Sequence, residues 1–335
     1  MTGTVNKSRL YDLIKTVTTV LVVLAHVAVM YTPSGAIRIQ GESAFLAQMS
    51  NYIYSFHMPL FVMLSGCVYG WCINRGKYAH PIAFLKNKAK KLLIPYLAFG
   101  VLWVAPVMCL LKLTADGFLR YVWTGILLSL NARHLWYLVA LFWIFGIFMF
   151  LRPAILRGTG GLVMAGVLTV GMYLISGRVP WTLQMRQVFS YAMFFWLGIA
   201  VDRYYDRLEQ LARRVWPAAF LLPLVLLAKP VFNINRLTDC GYKLVGIAMM
   251  LLLGWLTLRR FPEIPDHRAY RCLNRNAFGI YLFHPMIIYV LFTVTNGLAL
   301  PPVVLSGGIF AVAMIVSVLL TELTRKLRLG ILMGE

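Results

Sequence analysis

The sequence predicts an all-α, polytopic integral membrane protein with about ten transmembrane helices and both termini in the cytoplasm. First, 60% of its 335 residues are hydrophobic and only 13% are charged, whereas soluble domains average about 45–50% apolar and about 25% charged residues. Second, long apolar runs recur without the in/out alternation of a transmembrane β-barrel. Third, Lys and Arg residues cluster between those runs, which sets the orientation.

A spanning helix needs about 20 predominantly apolar residues, and ten segments approach that length. The predicted spans are 11–31, 50–73, 92–111, 135–151, 160–176, 188–202, 215–229, 242–258, 277–296 and 302–323. No small-residue cleavage site follows the first run, so we interpret it as a retained helix and not as a signal peptide. The connections are short, and we expect residues 1–335 to form a single membrane-embedded domain with no soluble domain attached.

The distribution of basic residues orients these spans. With the N-terminus inside, 22 of the 32 Lys and Arg residues lie in predicted cytoplasmic pieces, while nine lie in or beside outer pieces. This bias follows the positive-inside rule. It predicts that both termini and 74–91 are cytoplasmic and that 112–134 and 230–241 face outward. It also accounts for the net charge of +21 without a nucleic-acid partner.

Two further patterns limit the function. The five cysteines form no CxxC pair and no His/Cys spacing typical of zinc ligands, so no metal site is predicted. No Asp or Glu lies near the middle of a predicted span, although proton-coupled carriers usually place carboxylates there. A transporter or flippase for a polyprenyl-linked glycan, and a membrane assembly or sensor partner without catalysis, remain as alternatives to an enzyme.

The first helix aligns a cation with an imidazole. Lys15 and His26 are eleven positions apart, which is about 20° more than three full turns, so both side chains share one face. The rise between them is about 16 Å, roughly half the hydrocarbon thickness. Asp12 lies one turn before Lys15, and Thr19 continues the stripe. The alternative is a snorkelling lysine together with a structural histidine.

The second and ninth helices each carry a histidine beside a proline. Pro59 removes the hydrogen bond to the carbonyl four residues earlier, so that carbonyl, His57 and Ser65 could line a polar cavity. In the ninth helix, Tyr281 and His284 lie one turn apart, and a proline follows. Proline kinks also occur in membrane helices without any functional role, so a structural explanation stays open for both sites.

A basic run precedes the third predicted helix. It comprises Lys86, Lys88, Lys90 and Lys91. Two explanations are topological retention and contact with anionic lipids. The functional alternative is a binding site for a polyanionic cytoplasmic ligand, such as the phosphates of a nucleotide-derived cofactor.

Together these motifs resemble the acyltransferase 3 family of integral-membrane acyltransferases, and most closely its fucose 4-O-acetylase-like subgroup. In the family's order, the matching residues are Lys15 with ten residues before His26, Phe56-His-Met-Pro-Leu-Phe61 with Ser65-Gly66, the basic run ending Leu92-Leu-Ile-Pro-Tyr96, His134-Leu-Trp-Tyr-Leu138, and Gly279-Ile-Tyr-Leu-Phe-His284. Lys15 stands where the family more often has arginine, so a phosphate contact there lacks a bidentate fork.

The resemblance implies transfer of an acyl group, commonly acetyl from cytoplasmic acetyl-CoA, to a hydroxyl of a carbohydrate or lipid-linked glycan beyond the bacterial inner membrane. It implies that His26 is the general base or the acyl carrier. The catalytic candidates are His26, Lys15 and Asp12, and the donor-binding candidates are Lys15, Lys86, Lys88, Lys90 and Lys91. The candidates for the cavity and the acceptor site are His57, Ser65, His134, Trp136, Tyr281 and His284. Acetyl versus succinyl, and an acyl-histidine intermediate versus direct transfer, both stay open.

Overall fold

A computed structural model describes residues 5–228 and 235–335, and within them the regular structure is helical, with no strand. The predicted connection 230–241 lies partly outside these residues. The α-helices are α1 (Lys7–Ala28), α2 (Ala44–Tyr54), α3 (His57–Ile73), α4 (Pro81–Phe99), α5 (Ala105–Leu110), α6 (Phe118–Tyr121), α7 (Trp136–Leu156), α8 (Thr159–Ile175), α9 (Met185–Arg203), α10 (Tyr205–Val215), α11 (Ala218–Leu227), α12 (Arg236–Arg260), α13 (Arg268–Thr295) and α14 (Pro302–Lys326). Two π-helical segments, Gly100–Val104 and Val122–Leu127, and several 3-10 turns connect them.

The predicted all-α membrane fold is confirmed, with fewer candidate spans than predicted. Among the described residues, eight helical segments are long and apolar enough to cross a membrane, and a ninth counts if α10 and α11 form one span bent by 87°. Residues 203–214, predicted as a connection, form most of α10. The predicted span 188–202 lies in α9, which is not among the eight because polar residues such as Arg186 and Asp202 lie near its ends.

The position of α9 nevertheless gives it the reach of a spanning helix. In the second turn of α9, the ring of Tyr191 lies 5.3 Å from that of Trp136, the first residue of α7. Where α9 ends, the Arg203 guanidinium donates to the carbonyl of Ile155 at 2.7 Å, close to the end of α7. Because α7 is one of the eight candidate spans, α9 extends along the full length of a helix that can cross the membrane.

Two glycines allow α9 to pack closely against α3. A β-carbon added to Gly198 would lie 2.0 Å from the carbonyl oxygen of Met63, and one added to Gly66 would lie 2.0 Å from that of Phe195. Any side chain larger than hydrogen would force the two backbones apart. Small residues at such crossings are typical of helix packing in membranes, where close van der Waals contact drives association.

One of the two predicted proline effects is observed, and one helix begins earlier than predicted. The backbone is broken at Ser55 and Phe56, between α2 and α3, where Pro59 removes the next hydrogen bond. Pro285, by contrast, lies inside the uninterrupted α13. The third span was predicted to begin at residue 92, but the helix begins at Pro81. Proline fits well in the first turn of a helix because the amide hydrogen that it lacks would have no helical partner there. The basic run is therefore helical.

We call the end of the bundle where α1 begins the inner end, which is predicted to be cytoplasmic, and the opposite end the outer end. At the inner end, the Lys7 ammonium lies 2.7 Å from the carboxylate of Asp202, whose side chain is almost completely buried. This ion pair joins the start of α1 to the end of α9. It fixes the depth of α1 in the bundle, and with it the height of Lys15 and His26.

Candidate active site

A cavity of about 480 Å³ lies between α1, α3, α4, α7 and α13. Its basic lining residues are Lys15, Lys88 and Lys91. The side chain of Lys15 is 40% exposed and forms an ion pair with Asp12 at 3.0 Å. Lys88 places its ammonium 3.9 Å from the centroid of the Phe145 ring, a distance at which cation and ring attract each other. The cavity therefore carries a cluster of cations toward the inner end of the bundle.

The helical geometry of α4 divides the predicted basic run into two pairs. Lys88 and Lys91 lie three residues apart on the face that lines the cavity. Lys86 and Lys90 lie four residues apart on another face, are exposed and do not belong to the cavity lining. Only half of the four-lysine run is thus placed to meet a ligand in the cavity.

The segment after α14 also lines the cavity, a contact that the sequence did not predict. Residues Gly330–Met333 form a 3-10 turn, after which Gly334 and Glu335 reach the lining. Gly334 has φ +73°, and an added β-carbon would lie 2.7 Å from the carbonyl oxygen of Lys91. The Arg325 guanidinium holds the Glu335 carboxylate through Nε at 2.9 Å and Nη2 at 2.5 Å. An acidic side chain thereby lies within the basic part of the cavity.

Ser65, Tyr137 and Tyr281 are among the residues that contribute hydroxyl groups to the cavity lining. Ser65 donates to the carbonyl of Phe61 at 3.0 Å, and its oxygen lies 3.2 Å from the Tyr137 hydroxyl. Because the Ser65 proton is already used, Tyr137 is the donor of that second bond. Tyr281 donates to the backbone carbonyl of His134 at 2.5 Å. Ser65 and Tyr281 were both predicted as cavity residues, whereas Tyr137 was not.

Four histidines from separate parts of the chain form a cluster. The ring of His284 lies 4.9 Å from that of His26 and 5.9 Å from that of His134, measured between centroids. The ring of Tyr54 lies between those of His26 and His57, 5.8 Å from the first and 4.9 Å from the second. The sequence predicted each histidine as a candidate but did not predict that they meet.

The histidine cluster lies just beyond the deep part of the cavity. Along α13, His284 comes three residues after the lining residue Tyr281, a rise of about 4.5 Å. Along α1, His26 comes seven residues after the lining residue Thr19, a rise of about 10 Å. The four histidines are not themselves part of the cavity lining. A ligand that fills the cavity from the inner end would thus point toward the imidazoles.

Backbone carbonyls determine which nitrogen of each neutral imidazole carries the proton. The Nδ1 atoms of His26, His57 and His284 lie 2.8, 3.0 and 2.7 Å from the carbonyl oxygen four residues earlier. A carbonyl oxygen only accepts, so Nδ1 is the donor, and Nε2 keeps a lone pair. His134 has the opposite tautomer, because its Nε2 atom lies 3.2 Å from the carbonyl of Leu282 and is the donor there. The lone pair of His134 is thus on Nδ1.

Exposure separates the members of the cluster. His26 is partly exposed, whereas His57, His134 and His284 are at most 8% exposed. The Nε2 atom of His284 and the Nδ1 atom of His134 are buried without a hydrogen-bond partner.

Trp136, the remaining residue predicted for the cavity or the acceptor site, packs its ring 5.3 Å from that of Tyr191 and does not line the cavity. Within residues 5–228 and 235–335, no three His, Cys, Asp or Glu side chains are placed to hold a metal ion.

The comparisons with known proteins agree with the membrane fold. A family model described as an acyltransferase domain matches residues 10–322. Comparisons with curated proteins and with solved structures found no match. The matched region contains every site residue predicted from the sequence, and it favours an enzyme over a transporter or a non-catalytic partner. Because the match covers nearly the whole chain, the protein belongs to the acyltransferase 3 family and is a polytopic membrane acyltransferase.

Proposed function

We propose that this protein transfers an acyl group, typically acetyl, from acyl-CoA at the inner end of the bundle to a hydroxyl of a carbohydrate or lipid-linked glycan at the outer end. In this proposal it acts in the bacterial inner membrane as a polysaccharide-modifying O-acetyltransferase. One observation carries the proposal. A cavity with lysines in its lining reaches to within about one helical turn of a histidine cluster.

The lysines suit the polyanionic end of the donor. Lys15, Lys88 and Lys91 are compact, rotatable cations of the kind that bind phosphate as point charges. The rest of the cavity is largely apolar, with Leu138 and Phe278 in its lining. A flexible pantetheine arm can occupy such a lining and carry the thioester toward His26. Lys86 and Lys90 have no part in this binding, since they lie on another face of α4.

His26 is the residue best placed to accept the hydroxyl proton. Its Nε2 lone pair is available because Nδ1–H donates to the carbonyl of Val22, and that same carbonyl stabilises the imidazolium once formed. As the sugar oxygen attacks the thioester carbon, its proton moves to Nε2, and the departing thiolate of CoA then takes that proton. In the acyl-carrier alternative, Nε2 attacks the thioester carbon and displaces the CoA thiolate, which leaves an acyl-imidazolium. The sugar hydroxyl then attacks the acyl carbon and releases the neutral imidazole, and the thiolate takes the hydroxyl proton.

Tyr137 is our candidate donor to the oxyanion that forms on the thioester carbonyl. Its hydroxyl makes only long hydrogen bonds, 3.2 Å to Ser65 and 3.5 Å to the carbonyl of Phe61. Tyr281, in contrast, is committed to the carbonyl of His134 at 2.5 Å. A donor that gives up weak bonds in the ground state and forms a strong one in the transition state contributes to rate.

The test is acceptor-dependent transfer by the purified protein in lipid nanodiscs. We would supply acetyl-CoA labelled in the acetyl group, together with a glycan fraction from the host membrane and periplasm. The expected result is continued release of free CoA, beyond one equivalent per protein, only when the glycan is present, with the label recovered in the glycan. Binding of acetyl-CoA without any transfer to the glycan fraction would contradict the proposal.

A further inference from the structure

An arginine at the outer side of the histidine cluster has no acidic partner. Arg133 immediately precedes His134 in the turn that leads into α7. No Asp or Glu in the described part of the chain forms an ion pair with it. Its Nε atom is buried without an acceptor. Nearly all buried polar atoms in native proteins are satisfied, so a buried guanidinium donor without an acceptor needs an explanation.

The turn around Arg133 is held firmly in an uncommon conformation. Arg133 has φ +49° and Ser129 has φ +55°, in a region that residues other than glycine rarely adopt. Tyr121 donates to the carbonyl of Asn131 at 2.9 Å, and Tyr281 donates to that of His134. These bonds flank Arg133 on both sides. Backbone strain kept in place by surrounding bonds is typical of binding and catalytic sites.

The Arg133 side chain lies farther from the inner end than the imidazoles. The Tyr121 hydroxyl lies within hydrogen-bonding range of the Arg133 guanidinium, and the guanidinium also interacts electrostatically with the Tyr289 hydroxyl. These neutral hydroxyls leave Nε without an acceptor and the positive charge without a counter-ion. Tyr289 comes five residues after His284 along α13, about 7.5 Å farther toward the outer end. Tyr54, which contacts His26, interacts with Tyr289 and is 39% exposed. A ring with that exposure can pack against the apolar face of a sugar.

Three of the buried polar atoms without partners belong to the histidine cluster and the adjacent Arg133, and together they match one class of ligand. Two are imidazole acceptors, Nε2 of His284 and Nδ1 of His134, and one is the Nε–H donor of Arg133. A neutral sugar hydroxyl could satisfy the imidazoles by donation. Arg133 is partly buried, and its buried Nε–H together with a neighbouring Nη–H is satisfied best by an anion, which accepts two parallel hydrogen bonds and neutralises the charge.

We propose that Arg133 binds a negatively charged group on the acceptor, so the acceptor is an anionic carbohydrate. The anion is the carboxylate of an acidic sugar or the phosphate of a lipid-linked sugar, and both offer the same paired oxygens. The identification of this ligand as the acceptor rests on the proposed function, but anion binding at Arg133 does not. Arg133 positions the acceptor so that its hydroxyl faces the imidazoles.

The experiment compares matched pairs of probes on the purified full-length protein in nanodiscs. One pair is glucuronate and glucose, and the other is farnesyl pyrophosphate and farnesol. We expect the anionic member of at least one pair to bind about tenfold more tightly, and the pair that shows this difference identifies the source of the anion. Arg133→Gln should abolish the difference, and Arg133→Lys should restore part of it.

The control is Arg120→Gln, because Arg120 is an exposed arginine one residue before Tyr121, already paired with Asp116 at 3.1 Å. It should keep the wild-type difference. Acetyl-CoA affinity checks that each variant is folded. If Arg133→Gln no longer binds acetyl-CoA, the anion preference of Arg133→Lys is compared with that of the wild type instead. No preference for either anion in wild type, or an unchanged preference in both Arg133 variants, would overturn the proposal. Anion preference without acetyl transfer would refute only the proposed function.

Discussion

On α4, Lys88 and Lys91 face the cavity whereas Lys86 and Lys90 do not. This difference gives a prediction that distinguishes ligand binding by the lysines from their effect on membrane orientation. Replacing Lys88 and Lys91 together with methionine removes both charges on the cavity face but keeps side chains of similar apolar length. Replacing Lys86 and Lys90 in the same way removes two charges from the exposed face. The two double variants have equal net charge and equal effect on the positive-inside bias. They differ only in which side of the helix loses its cations.

The size of the difference follows from the helix geometry. A phosphate about 4 Å from an ammonium gains about 1 kcal/mol in a water-like environment, and at least as much beside the partly buried Lys88. Loss of Lys88 and Lys91 should therefore cost about 2 kcal/mol, or roughly a 30-fold increase in Kd for acetyl-CoA. Lys86 and Lys90 are each two residues, about 200° of rotation, from Lys88, across a helix about 10 Å wide. In about 0.1 M salt, the low-salt condition of the assay, the Debye length is about 10 Å, so their charge is largely screened and the expected change is about twofold or less.

The assay is equilibrium binding of acetyl-CoA to the purified variants at low and high salt. The effect of the Lys88 and Lys91 substitutions should shrink in about 1 M salt, where the Debye length falls to about 3 Å. Equal affinities for the two double variants at low salt would refute the assignment of the cavity face. A larger loss for the Lys86 and Lys90 variant would place the donor outside the cavity.

Three further predictions test packing, the cavity and the oxyanion donor. Gly198→Ala should lower the thermal stability of the detergent-solubilised protein markedly, because its β-carbon meets a backbone carbonyl at 2.0 Å, whereas Gly146→Ala, with open space around it, should leave stability unchanged. Glu335→Gln should tighten acetyl-CoA binding several-fold in the same binding assay, since it removes a like charge from the phosphate site; weaker binding would contradict this. Tyr137→Phe should lower kcat about 10²-fold with little change in KM, measured by steady-state kinetics; an equal effect on KM would instead indicate a binding role.

The sequence was most informative where a feature depends on one helix alone. The alignment of Lys15 with His26 follows from about 100° per residue, and α1 is indeed uninterrupted over both. The break before α3 follows from the chemistry of Pro59. The same rule of 100° per residue could have divided the four lysines of α4, but the helix was predicted to begin after them.

Features that depend on packing between helices could not be predicted from the sequence. The meeting of His26, His284 and His134 depends on how α1, α13 and the turn before α7 are placed against one another. The contact of Glu335 with Arg325 gave no sequence signal, because it requires the segment after α14 to fold back. The span predicted at 188–202 lies within α9, and the polar residues at the ends of α9 depend on contacts with neighbouring helices that the sequence alone does not give.

The central claim is that Nε2 of His26 handles the proton or the acyl group during transfer from acetyl-CoA. The most direct measurement is acceptor-dependent acetyl transfer by His26→Gln, with acetyl-CoA affinity measured on the same sample. Glutamine keeps similar size and hydrogen bonding but cannot take up a proton. The account predicts a loss of about 10²–10⁴ in rate with wild-type affinity, and full activity in the control His267→Gln, whose histidine is exposed. Near-normal turnover by His26→Gln would contradict the claim and transfer the role to His57 or His284.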